Sequence, residues 1–77
     1  MEFETHIKLY SRKIGKYNMT IEFFRGLGRY DVYLHSLGRY PSLEFHAFGK
    51  DLDELLDKVE KRINTPISFL TDGLYRF

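Results

Sequence analysis

Three histidines, His6, His35 and His46, are the side chains of this chain best suited to moving protons or holding a metal ion, and Tyr33 and Glu44 stand beside two of them in the sequence. Imidazole titrates near neutral pH and is a common zinc ligand, so the trio raises two chemistries, acid–base work and metal binding. A metal would require the rings to converge to about 2.0–2.1 Å from one ion. Cysteine is absent, which removes thiolate ligands and cysteine nucleophiles, and the sequence carries no GxSxG, Walker A or HExxH pattern. What the histidines can do therefore depends on the elements that hold them.

Those elements are written in the hydropathy pattern. Phe3, Ile7 and Leu9, then Tyr17, Met19, Ile21 and Phe23, then Tyr30, Val32 and Leu34, then Leu43, Phe45 and Ala47 each keep one phase of a period-two alternation. This predicts strands over about 2–10, 17–25, 30–36 and 42–49, with the named residues on one inner face. The connections are short: 11–16 is a basic segment with Gly15, Gly26-Leu27-Gly28 is a permissive turn, and 37–41 closes on Pro41. Short connections favour an antiparallel meander in the order 1-2-3-4.

From Asp51 the spacing becomes helical, with Leu52, Leu55, Leu56, Val59 and Ile63 forming one apolar stripe over about 52–63. Asp51 is placed to cap the helix with Glu54 three residues on, Glu54/Lys58 and Asp57/Lys61 are i,i+4 pairs, and Thr65-Pro66 ends it. The expected class is α+β, ββββα, one domain over residues 1–77, with the helix on the inner face of the sheet. Four strands span roughly 19 Å and one helix covers about 10 Å, so the remaining inner face calls for cover. The apolar tail 65–77, with Ile67, Phe69, Leu70, Leu74, Tyr75 and Phe77, supplies one candidate, and a second copy forming a homodimer supplies another.

The opposite phase carries all three histidines together with Tyr10, Phe24, Tyr33 and Phe48. Strands one and three lie roughly 9.6 Å apart, which keeps His6 from the other two and leaves only His35, His46 and Glu44 as a metal or acid–base group. The pattern points instead to a contact surface formed by Phe24, Tyr33, His35, His46 and Phe48, with an ordinary exposed face whose cross-strand aromatic pairs stabilise the hairpins, or cover by the tail, as the competing explanations. Leu-Gly-Arg-Tyr occurs twice, at 27–30 and 37–40, yet a meander puts the two copies at opposite ends of strand three. They read as two similar glycine turns with solvated arginines. The same topology groups Arg12, Lys13, Lys16, Arg39 and Tyr40 at one end, as a candidate site for an anionic partner, and Arg25, Arg29 and Lys50 at the other.

Twelve Lys plus Arg against eleven Asp plus Glu leave a net charge of +1, so nothing in the global charge attracts a polyanion. The charged opening MEFETHIK lacks the apolar stretch of a secretory leader and no run is long enough to span a bilayer, which leads to the expectation of a cytoplasmic, non-membrane protein. The functional expectation is a non-enzymatic protein-binding module without a cofactor or metal, using the outer sheet face and the basic loop end; an inhibitor of a host protein carried by a phage or mobile element is the kind of role such chains fill. The alternative is a module that stacks single-stranded nucleic acid on its sheet aromatics. Glu4, Glu22, Asp31 and Glu44 share that face and weigh toward protein.

Overall fold

A computed structural model describes residues 6–65. It shows a four-stranded antiparallel sheet in the order β1-β2-β3-β4, with β1 His6–Ile14, β2 Tyr17–Phe24, β3 Arg29–Ser36 and β4 Leu43–Gly49, followed by one helix, α1, Leu52–Ile63. The ββββα meander read from the alternation is the fold. The tail 66–77, the first residues of the expected first strand and closure of the inner face by the tail lie outside the described residues. Among the described residues no helix is long and apolar enough to cross a membrane.

Local chemistry explains each junction. β1 runs through the segment expected to be a loop and reverses in two residues, Gly15-Lys16, with Ile14 paired to Tyr17. Gly15 holds φ +61, the left-handed conformation that the first central position of a tight hairpin of this kind demands. Between β2 and β3 the chain makes a short helical turn, with Leu27 N–H donating to Phe24 O at 3.2 Å and Gly28 N–H to Arg25 O at 3.3 Å. Asp51 caps α1 by accepting from the backbone N–H groups of Asp53 and Glu54 at 3.0 and 3.3 Å. Asn64, in the left-handed region at φ 54, closes the other end. This terminator acts before the Thr65-Pro66 pair that the sequence offers as the stop.

The core lies between the helix and the middle of the sheet. Met19, Ile21 and Phe23 of β2 and Tyr30, Val32 and Leu34 of β3 are buried against Leu52, Leu55, Leu56 and Val59, with Phe45 and Ala47 of β4 packed beside them. The inner-facing apolar residues of β1 are half-buried.

Two bulges correct the phase read from sequence. The β1–β2 register slips between Lys8 and Tyr10, so Tyr10 pairs with Ile21 and joins the inner face, while Arg12 pairs with Met19 and Lys13 with Asn18. The β3–β4 register slips between Leu34 and His35, which pairs His35 with Leu43 and turns Leu43, expected in the core, to the outer face at 52% exposure. Each slip moves the residues beyond it to the other face.

Candidate functional site

The registers write the outer face as rows that cross the sheet. Phe24 stands beside Arg29; Lys8, Glu22, Asp31 and Phe48 form the next row; Ser11, Thr20, Tyr33 and His46 the third; Lys13, Asn18, His35 and Leu43 the fourth. The five residues expected to form the contact surface, Phe24, Tyr33, His35, His46 and Phe48, are thus brought onto one face. The side chain of His6 lies outside the described set.

At the centre is a residue whose sequence position suggested only one of several surface carboxylates. Asp31 is 1% exposed, although it sits on the face that the helix does not cover. It accepts from Arg29 Nε at 2.8 Å on Oδ1 and from Arg29 Nη2 at 3.4 Å on Oδ2, and Oδ2 is also 2.8 Å from His46 Nε2. A carboxylate only accepts, so His46 Nε2 is the donor in this contact. No buried side-chain polar atom among the described residues lacks a hydrogen-bond partner, and this group shows how that is achieved.

Rings lie against both partners of the carboxylate. The Arg29 guanidinium lies 5.3 Å from the Phe24 ring centre and 4.7 Å from that of Phe48, a cation held between two faces. Tyr33 stacks on His46 at 4.4 Å with the planes 5° apart, and Phe48 approaches His46 at 5.8 Å from two residues along β4. Tyr33 also faces His35, at 6.4 Å. Burial above all, then the negative charges of Asp31 and Glu22, push the Tyr33 phenol above its ordinary pKa, with Arg29 opposing. The Tyr33 ring thus stands next to both histidines. His46 is committed to Asp31, and among the described residues no group of three or more His, Asp and Glu is arranged to hold a metal ion.

The surface around this layer is shallow. A depression of about 370 Å³ is lined by Lys8, Thr20, Glu22, Tyr33, His35 and Leu43, and Phe48 and Leu43 stand 58% and 52% exposed on the same face. Polar neighbours fix its other border, where the Asn18 amide donates to Ser11 Oγ at 3.2 Å and to Thr20 Oγ1 at 3.4 Å.

The basic candidates divide. Arg12 falls in the inner-face phase of the edge strand, and its Nη1 lies 3.5 Å from the Tyr10 hydroxyl, whereas Lys13 falls in the outer phase. Lys16 occupies the β1–β2 turn, and Arg39 and Tyr40 the β3–β4 loop. Leu37 N–H donates to Lys16 O at 2.8 Å and so ties that turn to that loop. The arginine of the first LGRY copy departs from the expectation of solvation, since Arg29 is only 33% exposed and spends its donors on Asp31.

Arg29, Asp31 and Leu43 are the site residues that sequence reasoning missed. Arg29 and Asp31 left a signal, an arginine and an aspartate at i and i+2 of a strand and hence on one face, amid aromatic neighbours. Leu43 left none, because only the bulge turns it outward. No protein-family model matches the chain, and neither the curated proteins nor the solved structures contain a significant match.

Proposed function

We propose that this chain is a non-enzymatic protein-binding module whose contact surface is the outer sheet face around Phe48, His46, Tyr33 and Leu43. The observation that carries the reading is the buried Asp31, which fixes Arg29 and His46 and, through them, the rings stacked on both. A partner meeting this face would find side chains already held in place, so less rotamer entropy is lost on association. The residue types, aromatic and arginine with a leucine at the border, are those that dominate protein interfaces. Exposed Phe48 and Leu43 add apolar area that gains from being covered.

Stacking of nucleic acid on this face is less favoured by the same geometry. The cation among its aromatics, Arg29, is paired to Asp31, and Lys8 stands opposite Glu22, so the face offers a phosphate backbone little net attraction. The test is capture of a stoichiometric partner by the tagged chain, repeated with Phe48→Ala and with Leu43→Ser. Both positions are exposed, so the fold should survive, and each change is expected to weaken capture by about tenfold or more. Retention of the partner at full strength by both variants, or failure to find a stoichiometric partner, overturns the reading.

A further inference from the structure

At the far end of the sheet from Arg29, the fold brings two cations and two tyrosines to one end, and the contact surface above does not use them. Lys16 Nζ lies 5.7 Å from the Tyr17 ring centre, and the Arg39 guanidinium lies 5.8 Å from that of Tyr40. Lys16 lies in the β1–β2 turn with Tyr17 opening β2, Arg39 and Tyr40 lie in the β3–β4 loop, and the bond from Leu37 N–H to Lys16 O at 2.8 Å joins the turn to the loop. The loop that carries Arg39 and Tyr40 is pinned at its base, where Ser36 N–H donates to Ser42 O at 2.8 Å and Ser42 N–H donates to Ser36 Oγ at 3.2 Å. On this pinned loop Tyr40 is 81% exposed.

The electrostatics of this end differ from those of the sheet face. Lys13, in the outer phase of β1, stands two residues from the turn, and the carboxyl end of α1 adds Lys61 and Arg62. Asp57 is paired with Lys61 at 3.1 Å, and Arg62 reaches across to donate to Glu44 O at 3.3 Å. Lys13, Lys16, Arg39, Lys61 and Arg62 thus gather where two loops meet, against the carboxylates of Asp57, Glu60 and Glu44, the last accepting from Ser42 Oγ at 3.4 Å.

We infer that this end is a second binding site, which takes single-stranded nucleic acid, with phosphates on Lys13, Lys16 and Arg39 and a base stacked on Tyr40. A nucleotide repeats one anionic group and one flat ring, and this end presents cation and ring side by side at Arg39 and Tyr40, with Lys16 beside Tyr17, whose ring packs partly against the core. An acidic peptide would use the cations but leave the rings unexplained. An anionic bilayer would call for several apolar side chains to insert, and this loop offers only Leu37, at 40% exposure, and Pro41. Stacking on an exposed ring is tolerant of base identity, so the expected preference is for single strands over duplex, with little sequence selectivity.

The experiment is anisotropy titration of a fluorescent oligothymidylate of about twelve nucleotides, a length within the range of such sites. Three phosphate contacts give a slope of log K against log salt of about −2.1, at about −0.7 per contact on a single strand. Lys16→Ala with Arg39→Ala should reduce that slope by about 1.4. Tyr40→Ala should leave the slope unchanged and lower affinity by about fivefold to 150-fold, the worth of one stacked base. All three side chains are exposed, and circular dichroism of each variant checks that the fold is retained. The inference is overturned by absence of salt-dependent binding, by Tyr40→Ala binding as tightly as the parent, by poly-L-glutamate competing as well as the oligonucleotide, or by preferential binding to phosphatidylserine vesicles. Phe48→Ala should bind the oligonucleotide like the parent, which separates this site from the sheet face.

Discussion

Replacing Asp31 by Asn keeps the shape of the side chain and removes its charge, and it should destabilise the protein by about 2 kcal/mol. The figure follows from the two branches that meet at the carboxylate. A hydrogen bond to a charged group contributes about 1.5–3 kcal/mol when fully sheltered. Arg29 and His46 are sheltered only in part, at 33% and 34% exposure, so each branch is discounted to about 1 kcal/mol. The substituted amide could still accept one bond from Arg29, but its NH₂ group would meet His46 Nε2 as a second donor unless the ring changed tautomer. For a domain of this size each kcal/mol moves the melting temperature by about 4–8 °C, so the expected drop is about 8–16 °C.

Urea unfolding followed by circular dichroism measures the change, and a double-mutant cycle with Arg29→Gln assigns it. The two single changes remove the same contact, so their sum should exceed the double change by about 1 kcal/mol. An Asp31→Asn variant within about 0.5 kcal/mol of the parent would refute the argument, because a carboxylate at 1% exposure would then be contributing no more than a surface group. Near-zero coupling with Arg29 would refute it as well, by showing that the 2.8 Å contact carries no energy of its own.

Three further outcomes follow from single features. The folded-state pKa of Tyr33 is raised, chiefly by burial, above the ordinary phenol value of about 10, so its contribution to stability is complete below that pH and is lost as pH rises through the raised value. Urea midpoints from about pH 9 to about pH 11 should therefore fall more steeply for the parent than for Tyr33→Phe, and parallel profiles would contradict the shift. Gly28→Ala forces a side chain into φ +60 where nothing crowds the Cβ, so the expected cost of about 1–2 kcal/mol is purely conformational, and chemical denaturation reads it. Asp51→Ala removes the acceptor for two helix N–H groups and should cost about 1 kcal/mol in the same assay, with the far-UV signal of the sheet unchanged.

The alternation made the sheet legible because period two places Met19, Ile21, Val32 and Leu34 on one side wherever the strands begin and end. The helix was legible for a similar reason, since its stripe, its acidic start and Asp51 all point to one element. The bulges were hidden by composition. At Leu9-Tyr10 either residue can face a core, so the run looks continuous whether or not one residue is inserted, and at Leu43-Glu44 the polar and apolar members simply exchange faces across the slip. Without the register, the pairing of Tyr33 with His46 had no sequence counterpart, and neither did the place of Asp31 directly opposite Phe48. The outer aromatics were visible, but what organises them was not. Acidic residues on an exposed phase read as solvated, and only the contacts with Arg29 and His46 reverse that reading.

The repeated Leu-Gly-Arg-Tyr shows how neighbours, rather than the motif, decide what a segment does. In the first copy Gly28 takes φ +60, Arg29 opens β3, and Tyr30 is 3% exposed in the core. The residue that follows is Asp31, which continues the strand and, two places from Arg29 on the same face, draws the guanidinium down between Phe24 and Phe48. In the second copy the residue that follows is Pro41, which has no N–H for a ladder and restricts Tyr40 before it, so the tetrapeptide stays in the loop. Arg39 then has no strand partner at i+2 to accept from it and lies over the ring of its own neighbour, leaving Tyr40 the most exposed of the large apolar side chains described. One copy therefore becomes the fixed centre of a surface and the other a projecting cation and ring. A search for duplicated binding elements would have paired two segments whose chemistry the next residue had already separated.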